Sequence, residues 1–236
     1  MEQIHLTEHL TAFGLTRQEA VIYLALWTNG IQTGYEIAKA TGISRSNAYS
    51  GLSGLVEKGA AYVLEGKNRR YAPVEPEEFC ENKLRLLKEK QSYITEHMPR
   101  GREAAEGYLT ITSDSHITDK IYHMLKSVEQ RVYMSVSAER LKPFLGELQK
   151  VAENGRKVVL LTDAPVEAKG IVTYLTEEKG NQIGVITDSA YVLTGELGIG
   201  RESVCLYSGQ KNFVKVFKDS LSNEIKLIEL RKGETL

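Results

Sequence analysis

The sequence predicts two folded domains joined by a charged helical connector: an α+β N-terminal domain and an α/β C-terminal domain. Residues 1–75 show helical spacing of apolar residues followed by a hairpin pattern. Residues 76–107 show a heptad-like pattern, and residues 108–236 alternate β-prone runs with amphipathic helical segments. A chain of 236 residues is long enough for two such domains.

The composition argues against several classes of protein. Hydrophobic residues make up 42% and charged residues 26% of the chain, as in soluble globular proteins. No apolar run reaches the roughly 18 residues of a membrane span, and MEQIHLTEHL lacks the features of a secretory signal. Cys80 and Cys205 are far apart and have no metal-ligand spacing. We therefore expect a cytoplasmic protein with no membrane partner, no metal and no cofactor.

Basic charge is concentrated in one short stretch. The whole chain has a net charge of −1, but residues 44–71 carry five basic and two acidic residues. A local basic segment of this kind favours contact with a nucleic acid even where the average charge does not.

The N-terminal domain begins with two predicted helices. Leu6, Leu10 and Phe13 recur at helical spacing, and Gly14 ends the first helix. Thr16 then begins a capping box, with its acidic partner three residues later. The second helix is predicted to place four residues on one apolar face: Ala20, Tyr23, Leu24 and Trp27.

Residues 35–59 carry the strongest pattern in the chain. A short helix, 35–41, is predicted to turn Ile37 and Ala38 inward, and Gly42 allows a tight turn. Ile43 fills the core and Ser44 caps a second helix that ends at Gly59. That helix is expected to bury Ala48, Leu52, Leu55 and Val56.

This pattern is typical of a helix-turn-helix, in which the second helix presents its N-terminal side chains to the major groove. A predicted hairpin, AAYVL-EGKNR-RYAP, follows at once, with basic residues at its tip as in a wing that lies along the DNA backbone. The predicted DNA contacts are Thr33, Tyr35, Ser44, Arg45, Ser46, Asn47, Tyr49, Ser50, Lys67, Asn68, Arg69 and Arg70. The alternative is a helical core with a solvated basic turn.

The connector has a heptad period. Six residues are separated alternately by four and three positions, as in the a/d seam of a coiled coil: Cys80, Leu84, Leu87, Gln91, Ile94 and Met98. We expect this coiled-coil-like seam to extend a homodimer interface, with Cys80 facing its twin in an inert apolar role. The alternative is a single helix packed on its own domain.

The C-terminal section reads β–α–β–α–β, followed by three more strands and a terminal helix. The predicted strands are 108–112, 131–136, 157–161, 183–186, 191–193 and 204–207, and the predicted helices are 117–128, 138–154 and 212–225. Short strands that alternate with amphipathic helices imply a layered α/β domain.

The N-terminal residues carry a series of short motifs: GLT followed by EA and YLAL, then EIA, the turn GIS, Tyr49, the closing LxxLxxKG and the run Tyr71-Ala72-Pro73. In these motifs the chain resembles the winged-helix domain of the TrmB-type transcriptional regulators. The resemblance implies a winged helix that binds promoter DNA as a dimer and a C-terminal domain that senses a small molecule, often a sugar.

The C-terminal residues are similar to a phospholipase D-like domain, as the run LQKVAENGRKVVLLTD indicates. The catalytic signature of that family is HxKxxxxD, then six residues, then GSxN. With its Asp on Asp188 and its first glycine on Gly195, the His and Lys positions fall on Asn181 and Ile183. The Ser and Asn positions fall on Glu196 and Gly198. Neither Asn181 nor Ile183 can act as a nucleophile or stabilise a phosphoryl oxygen, so we expect no enzymatic activity.

A ligand-binding site without catalytic activity is still expected near the strand ends. Nine polar residues are candidates for a small polar ligand: Ser135, Ser137, Thr162, Asp163, Asp188, Thr194, Tyr207, Ser208 and Lys211. The alternative for each residue is ordinary capping of a strand end.

Together these observations predict a dimeric, sequence-specific transcriptional regulator that binds double-stranded operator DNA and senses a small polar metabolite. Two alternatives remain: a divergent phosphodiesterase or nuclease tethered to DNA, and a structural DNA-binding protein without a ligand.

Overall fold

The structure is a computed structural model that describes residues 2–66, 68–99, 107–198 and 202–233. The chain divides into two compact units, Met1–Gly101 and Arg102–Leu236. Each unit has its own hydrophobic core.

The first unit is a winged helix-turn-helix followed by a long helix. Its helices are α1 (Glu2–Ala12), α2 (Arg17–Asn29), α3 (Gly34–Thr41), α4 (Arg45–Glu57) and α5 (Pro76–His97). Its strands are β1 (Gln32–Thr33), β2 (Ala61–Leu64) and β3 (Arg70–Pro73), which form an antiparallel sheet in the order β1-β3-β2. The two-residue strand β1 was not predicted, because a segment so short has no periodicity to detect.

Local signals position α3 and α4. Thr33 begins a capping box with Glu36, and Gly42 takes up the left-handed conformation, with φ of +71°, that separates the two helices. Ser44 caps α4, its Oγ accepting a hydrogen bond from the Asn47 amide at 3.4 Å. The expected burial of Ala48, Leu52 and Leu55 is confirmed, with Val56 partly buried.

The capping box of Thr16 in α2 is also confirmed, but the predicted apolar face is wrong in part. Trp27 is 45% exposed and Leu24 is only partly buried, whereas Ile22 and Leu26 are fully buried. The reason is that α2 contacts α1, α3, α4 and β3, so its buried surface is wider and rotated from the predicted stripe.

The second unit contains a seven-stranded mixed sheet in the order β4-β10-β9-β8-β5-β6-β7. Its strands are β4 (Leu109–Thr112), β5 (Arg131–Val136), β6 (Lys157–Thr162), β7 (Ile171–Leu175), β8 (Gln182–Thr187), β9 (Tyr191–Glu196) and β10 (Val204–Ser208). Its helices are α6 (Asp114–Lys126), α7 (Ala138–Leu141), α8 (Leu145–Glu153) and α9 (Lys211–Gly233). Strands β5, β6 and β7 are parallel, and the remaining neighbours pair antiparallel.

Helices cover both faces of this sheet. The main core joins α6, α7 and α8 to one face, where Ile121, Leu148 and Val185 are fully buried. The other face packs Ile186 and Val192 against Val214 of α9.

Three predicted elements of this unit are corrected by the structure. The helix expected over 138–154 is interrupted by a 3-10 turn at Lys142–Phe144, because Pro143 has no backbone N–H to continue it. Strand β7 lies in the stretch predicted to be a loop, and α9 extends to Gly233 rather than ending near residue 225.

Candidate DNA-binding interface and C-terminal cavity

The N-terminal turns of α4 form an exposed polar surface. The predicted contact residues there are all exposed: Ser44, Arg45, Ser46, Asn47, Tyr49 and Ser50. They lie opposite the buried face of α4, so helical periodicity alone places them toward solvent.

Arg45 is held by an aromatic neighbour. Its guanidinium carbon lies 4.6 Å from the centre of the ring of Tyr35, in the first turn of α3. An arginine over an aromatic face gains about 0.5–1 kcal/mol at an exposed site and loses rotamer freedom before any ligand binds. Arg45 is therefore oriented at the exposed start of α4.

Tyr49 lies against the backbone at the start of α3. A Cβ atom at Gly34 would lie 2.6 Å from Cζ of Tyr49, so only glycine allows this approach. Tyr49 remains 47% exposed and keeps its hydroxyl available. Partly buried Thr33 lies beside it, at the N-cap of α3.

The hairpin β2–β3, which we call the wing, carries the other predicted contacts. Asn68, Arg69 and Arg70 are exposed, and Arg69 forms an ion pair of 3.2 Å with Glu65 across the turn. Lys67 lies outside the described residues.

The charge of the wing also reaches the start of α3. Hydrogen bonds from Thr33, helped by the charge of Arg70, lower the pKa of Glu36 below its usual value.

Lys58 does not belong to this surface, although it contributes to the basic stretch of the sequence. Its Nζ lies 2.5 Å from Oε2 of Glu19 in α2. The free positive charge near α4 and the wing is therefore smaller than the sequence count implies.

The predicted seam on α5 is mostly exposed. Leu84, Leu87 and Ile94 are about half exposed, Gln91 is exposed, and Met98 follows the last residue of the helix. Cys80 is the exception, because it packs partly against the core of its own domain. Residues 100–106 of the connector lie outside the described part of the chain.

The structure separates the predicted ligand residues into two groups, at different positions along the strands. The first group lies away from the start of β5: Asp163 follows the end of β6, and Ser135 and Thr194 lie within β5 and β9. Asp188, Tyr207, Ser208 and Lys211 lie at the opposite edge of the sheet, where β5 begins. These residues cannot all line one site, because β8 and β10 run antiparallel to the parallel strands.

Several of these residues have structural partners. Asp163 accepts a hydrogen bond from the amide of Ala138, and Ser208 donates one to the carbonyl of Gly107. Thr162 is fully buried, and its hydroxyl has no hydrogen-bond partner among the described residues. Tyr207 stacks on Tyr191 at 5.7 Å. Ser137 is the N-cap residue of α7 and makes no side-chain cap bond, and Lys211 is the first residue of α9.

Asp188 is a turn residue. Its carboxylate accepts hydrogen bonds of 2.8–2.9 Å from the amides of Glu129, Gln130 and Arg131. Burial acts to raise the pKa of Asp188, but these three bonds outweigh it and lower the pKa below its usual value. Both oxygens are therefore occupied in joining the β8–β9 turn to the start of β5.

The positions of the phospholipase D signature have other roles here. Ile183, at the lysine position, is 2% exposed within the main core. A Cβ atom at Gly195 would lie 2.6 Å from the Cα of Cys205, so glycine is needed there for the pairing of β9 with β10. The described residues also contain no cluster of side chains that could hold a metal ion, and none of their helices could span a membrane.

A cavity of about 370 Å³ lies between α9 and the sheet. Ser135 and Thr194 line it, whereas Asp188 and Tyr207 line a separate cavity of about 390 Å³. The sequence-based prediction did not find the contribution of α9, because facing residues on a distant helix leave no local pattern.

The first unit is thus a winged helix-turn-helix in which α4 exposes its N-terminal side chains and the ring of Tyr35 orients Arg45. Two family models match the chain: "Sugar-specific transcriptional regulator TrmB" over residues 10–77, and "Transcriptional regulator TrmB, EBD N-terminal subdomain" over residues 108–220. Together they cover about three quarters of the sequence, and the chain belongs to the TrmB family of transcriptional regulators.

Individual relatives share between a quarter and a third of their aligned residues with this chain. The uncharacterized protein YrhO of Bacillus subtilis is 26% identical over 94% of this chain and 85% of its own length. TrmBL1 of Pyrococcus furiosus, described as an HTH-type sugar sensing transcriptional regulator, is 28% identical over 64% of this chain. The match spans only 46% of TrmBL1. The structure of TrmBL2, an archaeal chromatin protein, aligns over 96% of this chain and 99% of its own, at 18% identity with a TM-score of 0.46.

Proposed function

We propose that the protein is a homodimeric, cytoplasmic regulator that binds operator DNA in a sequence-specific manner through α4 and the wing. The observation that carries this proposal is Arg45, exposed at the start of α4 and oriented by the ring of Tyr35. Arginine can bond bidentately to guanine, and Asn47 can do the same to adenine, so these two side chains would read bases. The seryl, tyrosyl and wing residues would contact phosphates and set the orientation of the protein on the duplex.

Dimerisation is proposed to use the exposed seam of α5. Leu84 and Leu87 are large apolar side chains that a monomer leaves in water, and a partner helix would bury them. Fewer than three heptads cannot hold a dimer alone, so the seam would extend an interface made elsewhere. Leu87→Lys should shift the protein toward monomer in sedimentation equilibrium. Leu86→Lys, at an exposed position off the seam, is the control and should leave the association unchanged.

The second unit is proposed to be a phospholipase D-like domain that senses a small polar metabolite and has no catalytic role. The burial of Ile183 supports the absence of catalytic activity. The lysine that the catalytic signature has at this position would have to be charged within an apolar core. A ligand that binds one arrangement of the dimer more tightly than another would change the spacing of the two wings. Turnover of a model phosphodiester by the purified protein, lost in Asp188→Ala, would contradict this assignment.

The test of DNA binding has two stages. Bound fragments are first selected from a genomic library, and the recovered sites should be pseudo-palindromic, with half-sites about one helical turn or a multiple apart. Gel shifts then compare variants on the selected site and on single-base variants of it. Arg45→Ala should weaken binding and relax the preference at one base pair by about 1–3 kcal/mol. Arg69→Ala should weaken binding to all sequences alike.

The outcomes separate the proposal from its rivals. Equal affinity of wild type and Arg45→Ala for the selected site would refute base readout by α4. Recovery of fragments with no shared sequence would instead favour a structural DNA-binding protein.

A further inference from the structure

The cavity beneath α9 results from a row of small residues across three neighbouring strands. Ser135 in β5 is paired with Gly184 in β8, and Gly184 with Thr194 in β9. All three line the cavity, and α9 covers them with side chains that include Phe217 and Ser220. The adjacent row, Tyr133–Ile186–Val192, is large and fills the space under the same helix.

The two ends of the cavity differ in character. The inner end is formed by Tyr133, Ile186 and Phe217, which also pack in the small core between α9 and the sheet. The outer end is formed by Gln182, which pairs with Glu196 across β8 and β9. A bound molecule would therefore have an apolar body inside and a polar group at the mouth.

One ion pair at the mouth is already complete. Lys179 lies 2.5 Å from Glu224 of α9, and the hydroxyl of Thr176 donates to the same carboxylate oxygen at 2.7 Å. Burial acts to raise the pKa of Glu224, but these hydrogen bonds lower it below its usual value. The positive charge of Lys179 is thus committed within the protein and is not available to an anionic ligand.

Five other polar side chains line the cavity. Among the described residues, the side chains of Ser135, Thr194, Ser220, Gln182 and Glu196 form no hydrogen bond or ion pair. They offer hydroxyls, an amide and, in Glu196, one carboxylate that forms no ion pair with any residue that the structure describes. Such a set favours a ligand that donates hydrogen bonds and carries a positive charge.

We infer that this cavity binds a small organic amine, with its apolar body over the Ser135–Gly184–Thr194 row and its ammonium group at Glu196. The inference rests on the proposed sensing role of the second unit and specifies its site and ligand class. The volume of about 370 Å³ is within the range of pockets for such molecules.

Three probes of similar shape test the ligand class: 2-phenylethylamine, 2-phenylethanol and phenylacetate. Isothermal titration of the full chain without DNA should give a dissociation constant on the order of 1 mM for the amine. The alcohol should bind more weakly, and the acid should bind most weakly. Phenylacetate that binds as tightly as the amine, or no saturable binding of any probe, would overturn the inference.

Two variants test the site. Glu196→Gln should weaken binding of the amine about two- to fivefold, as expected for an exposed ion pair, and leave the alcohol unchanged. Glu167→Gln, an exposed acid outside the cavity lining, is the control and should not change either affinity.

Gly184→Val should abolish binding of both the amine and the alcohol, because its side chain would occupy the cavity. The fold should be retained, because a Cβ there would lie in ordinary contact at 4.0 Å from the Cβ of Ser135. Unchanged binding of the amine by a folded Gly184→Val protein would place the site elsewhere. Since these titrations contain no DNA, their result is independent of the gel-shift outcome.

Discussion

The Nζ atom of Lys58 lies 2.5 Å from Oε2 of Glu19, in an ion pair that joins the first turn of α2 to the C-cap residue that follows α4. Glu19 is 7% exposed and also accepts a hydrogen bond from the amide of Thr16 at 2.6 Å. One carboxylate therefore caps α2 and holds the helix proposed to read DNA.

Removing the partner of this buried carboxylate should destabilise the protein. Lys58→Met is expected to lower the free energy of unfolding by about 1–3 kcal/mol at neutral pH, because Glu19 would remain buried without its cation. Urea unfolding followed by circular dichroism measures the change. Glu89→Gln is the control, since its pair with Arg85 is largely exposed and should contribute less than about 1 kcal/mol.

The same pair should make stability depend on pH. Burial acts to raise the pKa of Glu19, but bonds from Lys58 and Thr16 lower it below its usual value. A depressed pKa contributes stability above the unfolded-state pKa of about 4.3, and that stability is lost as pH falls through the folded-state pKa. The difference between wild type and Lys58→Met should therefore shrink in acid. A difference that stays constant from pH 7 to pH 3 would contradict this account.

Gly54 should be intolerant of a side chain. A Cβ there would collide with Oε1 of Glu19. Gly54→Ala should therefore lower the melting temperature, although alanine normally stabilises a helix interior by about 0.5–1 kcal/mol. Gly146 in α8 has open space around the equivalent atom, so Gly146→Ala should show the ordinary gain. Equal gains at both positions would show that Glu19 moves aside at little cost.

Tyr35 is expected to act on DNA recognition through Arg45. Tyr35→Leu should weaken binding to the selected site by about 0.5–1 kcal/mol and relax the preference at the base pair that Arg45 contacts. Tyr35→Phe keeps the ring, so it should keep the base preference even if a phosphate contact of the hydroxyl is lost. Gel shifts on single-base variants distinguish the two. Loss of preference in Tyr35→Phe would indicate a role for the hydroxyl rather than the ring.

Asp188 should matter for folding. Asp188→Ala removes the acceptor of three backbone amides and should lower the free energy of unfolding by about 1–3 kcal/mol, measured in urea. Since the pKa of Asp188 is lowered in the folded state, its contribution should be present at neutral pH and disappear in acid. Affinity of 2-phenylethylamine should be unchanged in the folded variant, because Asp188 does not line the cavity beneath α9.

The elements that the sequence predicted well are those with local signals. The capping box at Thr16, the left-handed Gly42 and the cap at Ser44 each depend on residues within four positions of one another. The exposed and buried faces of α4 follow from the same short-range periodicity. Interactions of this kind join residues that are close in sequence, so a local pattern is enough to predict them.

The predictions that failed depended on contacts between distant residues. Trp27 was assigned to the core of α2, but the neighbours of that helix select Ile22 and Leu26 instead. The proposed ligand residues were grouped because each ends a strand, and the antiparallel direction of β8 and β10 then placed Asp188 and Tyr207 at the far edge.

By itself, the sequence determined the winged helix-turn-helix, the side chains it exposes, and the absence of a catalytic HxK motif. Only the tertiary structure decided that Lys58 pairs with Glu19, that Tyr35 lies beneath Arg45, and that Ser135, Gly184 and Thr194 form one row. The physical reason is the separation along the sequence of the residues that interact. Caps and helical faces arise within a few residues, whereas ion pairs and strand register join positions whose proximity depends on the topology of the whole fold.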